Sequence, residues 1–345
     1  MKRHTKQNHK QKRGQYFTTN AATLLEGYEH IVKGKVVTEP FAGGGDLTRW
    51  CLENGATKVM QYDIEPQNDE TESRDSIMDP HLHGVVVSNP PYLSKNKNKD
   101  KKAYEFWGLN DLYKCHLGAI ASSNIQSGIL ILPTNFLSES SSYARNLFFS
   151  YYRMNHVKYY RTRVFDDATT GIVVFDFERW DMQSSMTCTY EIFYDDKSYT
   201  TEYTARSEDG WLVGSEFFDL LLMGPPDFKI KILREGEKSN SNIIIGLLDK
   251  GKYSLGAHYN DGDPLYCAPK AFTTYQCVLN EEYPVELQKR AVEIFNNILN
   301  EMREKYHSMF LSNYMGASQK ILSRSYAEKL LAESFRQALL EQESQ

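Results

Sequence analysis

The most constraining feature of the chain is a regular alternation of apolar, strand-like runs with helical segments between about residues 31 and 178. The strand-like runs are "KVVTEPFAGGG", "KVMQYDIEP", "GVVVSNPPY" and "GILILPTNF". Strands that alternate with helices form a mostly parallel sheet with helices on both faces. Two further runs, "HVKYYRTRVF" and "GIVVFDFE", are separated by a short loop and predict a terminal antiparallel hairpin. We therefore expect a Rossmann-like α/β fold.

The chain changes character near residue 180. The stretch that follows is polar, strand-like and rich in Tyr and Thr, and helical periodicity returns from about residue 283 to 341. We expect a basic tail over residues 1–13, an α/β domain over 14–180 and a mixed α+β domain over 181–345.

Composition places the chain among cytoplasmic globular proteins. No run of about 18 apolar residues occurs, so we expect no membrane span. The cysteines are odd in number and scattered, which indicates a reducing compartment; they are Cys51, Cys115, Cys188, Cys267 and Cys277.

Positive charge is concentrated in two short segments, although the net charge is −5. Residues 1–13 contain Lys and Arg but no acid, and "KNKNKDKK" spans residues 95–102. Such segments bind phosphates, or they are solvated surface loops. The second segment begins shortly after Tyr92, beside the most unusual turn in the chain.

A glycine loop, "TEPFAGGGDL", follows the first strand. Glycines at this place allow a tight turn and a close approach between the backbone and a ligand, although many α/β turns contain glycines for steric reasons alone. The loop lacks the Gly-Lys-Ser/Thr ending of a triphosphate-binding loop. We expect Asp46 to cap the helix that follows.

Acids occupy the next strand end and the loop after it. Asp63 and Glu65 lie about 24 residues after Glu39, where an acid typically accepts ribose hydroxyls. These two side chains point to opposite faces of a strand, so we expect one of them to contact a ligand. Asp75 in "SRDSIMDP" is placed to accept from an amino group, such as that of adenine. Each acid could instead be a solvated surface carboxylate.

The turn Asn89-Pro90-Pro91-Tyr92 follows directly on a β-branched run. Paired prolines end a strand and hold a rigid turn. The Asn89 side-chain oxygen and the Pro90 carbonyl can accept the two N–H groups of an aromatic amine, which localises the nitrogen lone pair for attack. Tyr92 offers a face for an isolated base, which must first leave its duplex stack.

Taken together, these runs resemble the S-adenosylmethionine-dependent amino-methyltransferases of DNA. The similarity is to the N6-adenine class with the catalytic region first, the gamma arrangement of TaqI-like type II modification methylases. The matching runs lie in the order of that family over residues 14–178: "GQYFTT", "TEPFAGGG", "YDIEP", "RDSIMDP", "SNPPY", "LYKCHLGAI", "GILILPTNFL" and "RVFDDATTGIVVFDF". The resemblance implies a class I methyltransferase fold.

The resemblance also implies roles for individual residues. Thr18 would contact the cofactor S-adenosylmethionine, with Tyr16 nearby. The methionine part would be lined by Glu39, Phe41, Gly43 and Gly45. Asp63 would hold the ribose, and Ile64 and Asp75 would contact the adenine. Asn89, Pro90, Pro91 and Tyr92 would serve the target base, and Phe165 would stack on it opposite Tyr92. Two positions depart from the family: Thr19 stands where Pro is common, and Ser76 stands where an aromatic residue is common.

The expected activity is methyl transfer from S-adenosylmethionine to N6 of adenine in a specific short duplex DNA sequence, by base flipping and direct in-line transfer. No cysteine lies near the turn to act as a nucleophile, which argues against C5-cytosine chemistry. The alternatives are N4-cytosine methylation, methylation of an RNA base or a protein glutamine, and a non-enzymatic DNA-binding module with a vestigial methyltransferase fold. A partner restriction endonuclease, if there is one, would be a separate protein. We expect residues 181–345 to be a target-recognition domain. Its run "FLSNYMGASQKILSRSY" carries Lys320, Arg324 and two tyrosines, which form either a DNA-facing patch or an ordinary helix surface.

Overall fold

The computed structural model describes residues 18, 20–161, 164, 171–194, 196–224, 233, 237–266, 273–313 and 319–344. The chain divides into two compact units. The first comprises the residues up to Leu137 together with Ser141–Trp211, and the second comprises Ser138–Ser140 with Leu212–Gln345.

A nine-stranded sheet forms the centre of the first unit. Its strands are β1 (Val36–Glu39), β2 (Lys58–Asp63), β3 (Glu72–Ser73), β4 (Val85–Ser88), β5 (Ser127–Pro133), β6 (Tyr152–Tyr160), β7 (Ile172–Arg179), β8 (Ser185–Tyr194) and β9 (Lys197–Arg206). The described helices up to β6 are α1 (Ala21–Leu24), α2 (Glu29–Val32), α3 (Asp46–Glu53), α4 (Lys102–Trp107), α5 (Leu112–Ala121), α6 (Asn135–Ser138) and α7 (Tyr143–Phe149).

The strand order is β3-β2-β1-β4-β5-β7-β6-β8-β9. The first five strands of this order pair in parallel, as in a Rossmann-like half sheet. Strand β7 lies between β5 and β6 and runs antiparallel to both. The predicted α/β fold, with a mostly parallel sheet and an antiparallel hairpin after it, is therefore confirmed.

The sheet continues beyond the expected domain boundary at residue 180. Strand β8 pairs in parallel with β6 over His156–Tyr160, and β9 pairs antiparallel with β8. These backbone hydrogen bonds attach the Tyr/Thr-rich stretch to the first unit, so the compact units divide at Trp211 and Leu212 rather than at residue 180.

Side chains of the central strands alternate between two buried layers, because successive residues of a strand point to opposite faces. Val85, Val87, Ile129 and Ile131 join one core cluster, which also contains residues of α1, α2 and α3. Phenylalanines fill the other layer, where Phe136 stacks on Phe175 and Phe148 packs edge-on against Phe177; the ring centroids are 5.5 and 5.3 Å apart. Packing in these two layers fixes the position of the sheet and of the edge where the carboxyl ends of its strands lie.

The second unit combines small sheets with two long helices. Its described elements are α8 (Ser215–Leu220), β10 (Ile243–Gly246), β11 (Gly256–Tyr259), β12 (Thr274–Gln276), α9 (Val285–Lys305), β13 (Ser312–Asn313), β14 (Lys320–Ile321) and α10 (Arg324–Glu343). Strands β11 and β12 flank β10 in one antiparallel sheet. The side-chain amide of Asn296 accepts from the Ala257 N–H at 2.9 Å and donates to the Ala257 carbonyl at 2.8 Å, and so joins α9 to β11.

The candidate DNA-facing patch of this unit needs correction. The Lys320 side chain is only 1% exposed, and Arg324 is paired with Glu328 one helical turn later, at 3.0 Å. A buried lysine cannot contact DNA from the surface, so the prediction for Lys320 is wrong.

Four cysteines, Cys51, Cys115, Cys188 and Cys277, are buried free thiols, and Cys267 lies outside the described residues. None of the helices in the described ranges is long and apolar enough to cross a membrane.

Candidate active site

The glycine loop joins β1 to α3 at the carboxyl edge of the sheet. Gly43 and Gly45 adopt the left-handed conformation, with φ of 51° and 79°, which favours glycine. Gly45 is the N-cap of α3, and Asp46 is the first helical residue without a side-chain capping bond. The predicted capping role of Asp46 is therefore wrong, and its carboxylate forms an ion pair with Arg49 at 3.2 Å.

Asp63 connects the glycine loop to the end of β2. One carboxylate oxygen accepts from the Gly43 amide at 2.9 Å, and the other accepts from the Glu65 amide at 2.8 Å. Asp63 is 5% exposed, whereas Glu65 lies on the surface. Of the two acids at this strand end, only Asp63 faces the loop.

Glu39 ends β1 inside the protein, with 1% of the residue exposed. Its carboxylate accepts a short hydrogen bond from the Thr48 hydroxyl on α3. Burial raises the pKa of the Glu39 carboxyl to about 8; the charges of Asp46 and Asp63 add to the rise, and the Thr48 hydrogen bond opposes it. At neutral pH Glu39 is therefore mostly protonated.

A small cavity opens beside the loop, with about 20 Å³ of space for the centre of a water-sized molecule. It is lined by Thr18, Glu39, Phe41, Ala42, Gly44, Asp46, Leu47 and Asn89. The structure thus brings together residues from three separate sequence stretches, at residue 18, residues 39–47 and residue 89. Among the described residues, no group of three or more His, Cys, Asp or Glu side chains is arranged to hold a metal ion.

The Asn-Pro-Pro-Tyr turn follows β4, the neighbour of β1 in the sheet. Asn89 is 8% exposed, and its amide nitrogen donates to the Thr18 hydroxyl at 3.0 Å. The Tyr92 hydroxyl contacts the Asn89 side-chain oxygen at 2.6 Å and the Ile131 carbonyl at 2.8 Å. The Asn89 amide is therefore held on both sides, by the N-terminal segment and by its own turn.

The remaining parts of the turn differ in exposure. Pro90 is buried, whereas Pro91 and Tyr92 are partly exposed. The Tyr92 ring meets the Tyr113 ring edge-on, with centroids 6.2 Å apart. One ring of the turn is thus fixed close to the cavity-lining Asn89.

Five predicted cofactor residues lie outside the lining of this cavity: Gly43, Gly45, Asp63, Ile64 and Asp75. Ile64 is 53% exposed directly after β2, and Asp75 is also exposed. One carboxylate oxygen of Asp75 accepts from the backbone amides of Ile77 and Met78, at 3.1 and 3.2 Å, which fixes its direction. Ile64 follows β2, the neighbour of β1 in the sheet, and Asp75 follows β3, which pairs with β2.

Some predicted residues cannot be placed. Tyr16, Thr19 and Phe165 lie outside the described residues, so the expectation of a second stacking ring is not tested. Ser76, at the position where an aromatic residue was expected from the family pattern, is 2% exposed, and its hydroxyl has no partner in the described ranges.

Sequence reasoning did not single out several residues of the site. Leu47 lines the cavity, and Ile131 supplies the carbonyl that contacts Tyr92. His116 on α5 is fully buried and meets the Phe41 ring edge-on, with centroids 4.9 Å apart. Burial lowers the pKa of His116 to about 3, so this ring is neutral. The helix "LYKCHLGAI" was recognised, but nothing in its sequence indicated that His116 faces Phe41.

No family model matches the sequence, and no curated protein matches it at a significant level. Solved structures share part of the fold. A modification subunit of a putative type I restriction enzyme from Vibrio vulnificus YJ016 aligns over 53% of this chain and 48% of its own, at 10% identity and a TM-score of 0.43. A type I restriction-modification methyltransferase subunit from Streptococcus thermophilus aligns over 57% of each chain, at 12% identity and a TM-score of 0.40.

A third similar structure is a putative class I S-adenosylmethionine-dependent methyltransferase from Listeria monocytogenes. It aligns over 46% of this chain and 57% of its own, at 9% identity and a TM-score of 0.34. The chain spans about half the length of the restriction-modification subunits that it resembles. At these identities and TM-scores, the functional assignment has to come from the geometry of the chain's own residues.

Proposed function

We propose that this chain transfers a methyl group from S-adenosylmethionine to the N6 amino group of adenine in a specific short duplex DNA sequence, with the target base flipped out of the helix. One observation carries the proposal. The acid-lined cavity at the glycine loop and the amide of the Asn-Pro-Pro-Tyr turn belong to one pocket, since Glu39, Asp46 and Asn89 all line it.

The acids decide which kind of nucleoside ligand fits. Asp46 lines the cavity and Asp63 binds its glycine loop, so their negative charges would repel a phosphate group there. S-adenosylmethionine has a ribose and an adenine but no phosphate, and it carries positive charge on its sulfonium and its ammonium. A cationic nucleoside therefore fits this glycine loop better than a dinucleotide does.

The resemblance implies which residues would hold the cofactor. Thr18, Glu39 and Phe41 would surround the methionine part, with Gly43 and Gly45 giving the loop its close approach. Asp63 would accept ribose hydroxyls in addition to its two backbone amides. The exposed apolar side chain of Ile64 would cover the adenine ring, and the oriented carboxylate of Asp75 would accept from its amino group.

The turn would activate the target amine. When bound, S-adenosylmethionine supplies a methyl group on a positively charged sulfur. The Asn89 oxygen and the Pro90 carbonyl would accept the two N–H hydrogens of adenine N6, which concentrates the lone pair on the nitrogen. Pro91 keeps the turn rigid. The Tyr92 hydroxyl already takes one acceptor direction of the Asn89 oxygen, so the amine must use another direction or displace the hydroxyl.

A base would reach Asn89 only after it has left the duplex stack, because Asn89 is only 8% exposed. The Tyr92 ring would stack on the flipped base, and we propose Phe165 as the ring on its other side. The second unit would read the DNA sequence, and a cognate restriction endonuclease would be a separate partner.

The test is nucleoside mass spectrometry of unmethylated duplex DNA after incubation with the protein and S-adenosylmethionine. New N6-methyladenosine would support the proposal. N4-methylcytosine would keep the mechanism and change the base, and a product confined to RNA or to protein glutamine would overturn the DNA assignment.

The matched variant for this test is Asn89→Ala. It should lose activity by orders of magnitude and retain cofactor binding, which calorimetry measures. Equal loss of cofactor binding would show that the role of Asn89 is misplaced. If the wild-type protein binds no S-adenosylmethionine and Asn89→Ala behaves identically, the chain is a DNA-binding module without catalysis.

A further inference from the structure

The segment after the Asn-Pro-Pro-Tyr turn forms an exposed basic surface whose shape is set by hydrogen bonds. Residues 95–106 contain five lysines and two acids. Lys97, Lys99 and Lys102 are exposed, and Phe106 is 63% exposed beside them in the chain. We refer to Lys97, Lys99, Lys102 and Phe106 as the basic strap.

Hydrogen bonds hold the backbone of the strap in place. The Lys95 amide donates to the Asn110 carbonyl at 2.8 Å, and the Lys97 amide donates to the Ser94 carbonyl at 2.9 Å. The Lys101 side chain turns inward, where its ammonium donates to the carbonyls of Lys95 and Asn98. The Lys101 side chain thus closes the loop that carries Lys97 and Lys99, and Lys102 begins α4 directly after it.

The far end of the strap is anchored by aromatic side chains. Tyr104 is 1% exposed, and its hydroxyl donates to the Leu93 carbonyl at 2.9 Å. The Trp107 indole donates to the Ile77 carbonyl at 3.0 Å. Trp107 also packs so closely on Gly118 that an added Cβ there would lie 2.9 Å from its ring. Phe106 therefore projects from a fixed helix rather than from a loose loop.

The positive charges of the strap have no acidic side-chain partner among the described residues. In the part of the chain that the structure describes, no acid forms an ion pair with Lys97, Lys99 or Lys102. The carboxylate of Asp100 accepts from the Lys102 backbone amide at 3.0 Å instead. An array of unpaired ammonium groups is complementary to a polyanion.

The strap lies close to the site along the chain. Lys97 follows Tyr92 by five residues, so their Cα atoms are at most about 18 Å apart. Phosphates of one DNA strand are spaced about 3.4 Å along the helix axis, so this reach corresponds to roughly five nucleotides. A base held at Tyr92 brings its own flanking phosphates within the range of the strap.

We propose that the basic strap binds the phosphate backbone of the duplex beside the flipped base, with Phe106 contacting the sugar or base face next to it. The proposal rests on the proposed function, because it assigns the strap to the same DNA. It accounts for a strongly charged surface on a chain whose net charge is −5.

The test is the salt dependence of duplex binding in a triple variant, Lys97→Gln with Lys99→Gln and Lys102→Gln. Each lysine–phosphate contact contributes about 0.9 to the slope of log K against log salt, so the slope should become shallower by about 2.7. The control triple variant is Lys33→Gln with Lys35→Gln and Lys58→Gln, which removes three exposed lysines near the amino ends of β1 and β2.

The outcomes separate the strap from the proposed function. A shallower slope in the strap variant only, with unchanged cofactor binding, supports the proposal. A wild-type slope in the strap variant, or an equal change in both triple variants, overturns it while DNA methylation by the wild type stands. If the wild type neither binds nor methylates duplex DNA, the proposed function fails first. A slope change seen with single-stranded RNA and not with duplex DNA would also overturn the proposal.

Phe106 has its own test, since an apolar contact does not release counterions. Phe106→Ala should weaken duplex binding about tenfold and leave the salt slope unchanged. Leu52→Ala, which truncates a 51% exposed side chain on α3, is the control and should change neither quantity. Wild-type affinity in Phe106→Ala would remove Phe106 from the strap.

Discussion

Glu39→Gln tests the electrostatics of the site through the pH dependence of stability. The carboxyl is buried, and its pKa rises from 4.5 to about 8 on folding. The folded state therefore binds this proton more tightly than the unfolded state. The stabilising contribution of Glu39 is largest below pH 4.5, declines as the pH rises, and levels off above about 8. Glutamine keeps the shape and the oxygen that accepts from Thr48, but it has no proton to lose.

The size of the effect follows from the shift. One pKa unit corresponds to about 1.4 kcal/mol, so full ionisation of Glu39 lowers the free energy of unfolding by about 5 kcal/mol. Between about pH 5.5 and 8.5 the wild type should lose about 3 kcal/mol more than Glu39→Gln. A difference of that size is a large part of the stability of an ordinary domain.

The assay is urea unfolding followed by tryptophan fluorescence at several pH values. All four tryptophans lie in the first unit, so the signal reports on the unit that contains Glu39. Glu53→Gln, which neutralises an exposed carboxylate at the end of α3, is the control and should follow the wild type. Parallel pH curves for wild type and Glu39→Gln would refute the reasoning, because they would mean that burial does not hold Glu39 protonated.

Three further predictions concern the same edge of the sheet. Tyr92→Phe keeps the ring and removes the hydroxyl that contacts Asn89. Single-turnover methyl transfer should slow roughly tenfold, and the affinity for DNA with a mismatched target should not change. A faster rate would mean that the hydroxyl competes with the amine for Asn89. Thr48→Val removes the donor that opposes the pKa rise of Glu39. The free energy of unfolding, measured in urea, should therefore fall by about 1–3 kcal/mol at pH 8.5 and by less at pH 5.5. Equal losses at both pH values would contradict the assignment. Gly45→Ala places a Cβ at φ 79° and should lower the free energy of unfolding by about 1–2 kcal/mol, whereas Gly44→Ala, whose Cβ would meet only the Asp46 carboxylate at 3.2 Å, should cost less.

The parts of the fold that follow from short-range patterns were predictable. Short apolar runs in regular alternation with helical segments predicted the parallel sheet, and the short loop before Ile172 predicted the hairpin with β6. The pairing of β8 with β6 was not predictable, because it joins His156–Tyr160 to a stretch about 30 residues later through backbone hydrogen bonds that no side-chain pattern encodes. For this reason the compact units divide between Trp211 and Leu212 and not at residue 180.

The candidate site divides in the same way. Neighbours in sequence place Asn89, Pro90, Pro91 and Tyr92 on one turn. The parallel direction of β1, β2 and β4 brings their carboxyl ends to one edge, so the sequence alone determined that Glu39 and Asn89 would meet there. Only the tertiary structure decided their state. Burial keeps Glu39 protonated and His116, which packs against Phe41, neutral. Lys320 is buried, whereas the lysines of the strap are exposed to solvent. Burial and charge depend on atoms contributed by distant parts of the chain, and local sequence carries no record of them.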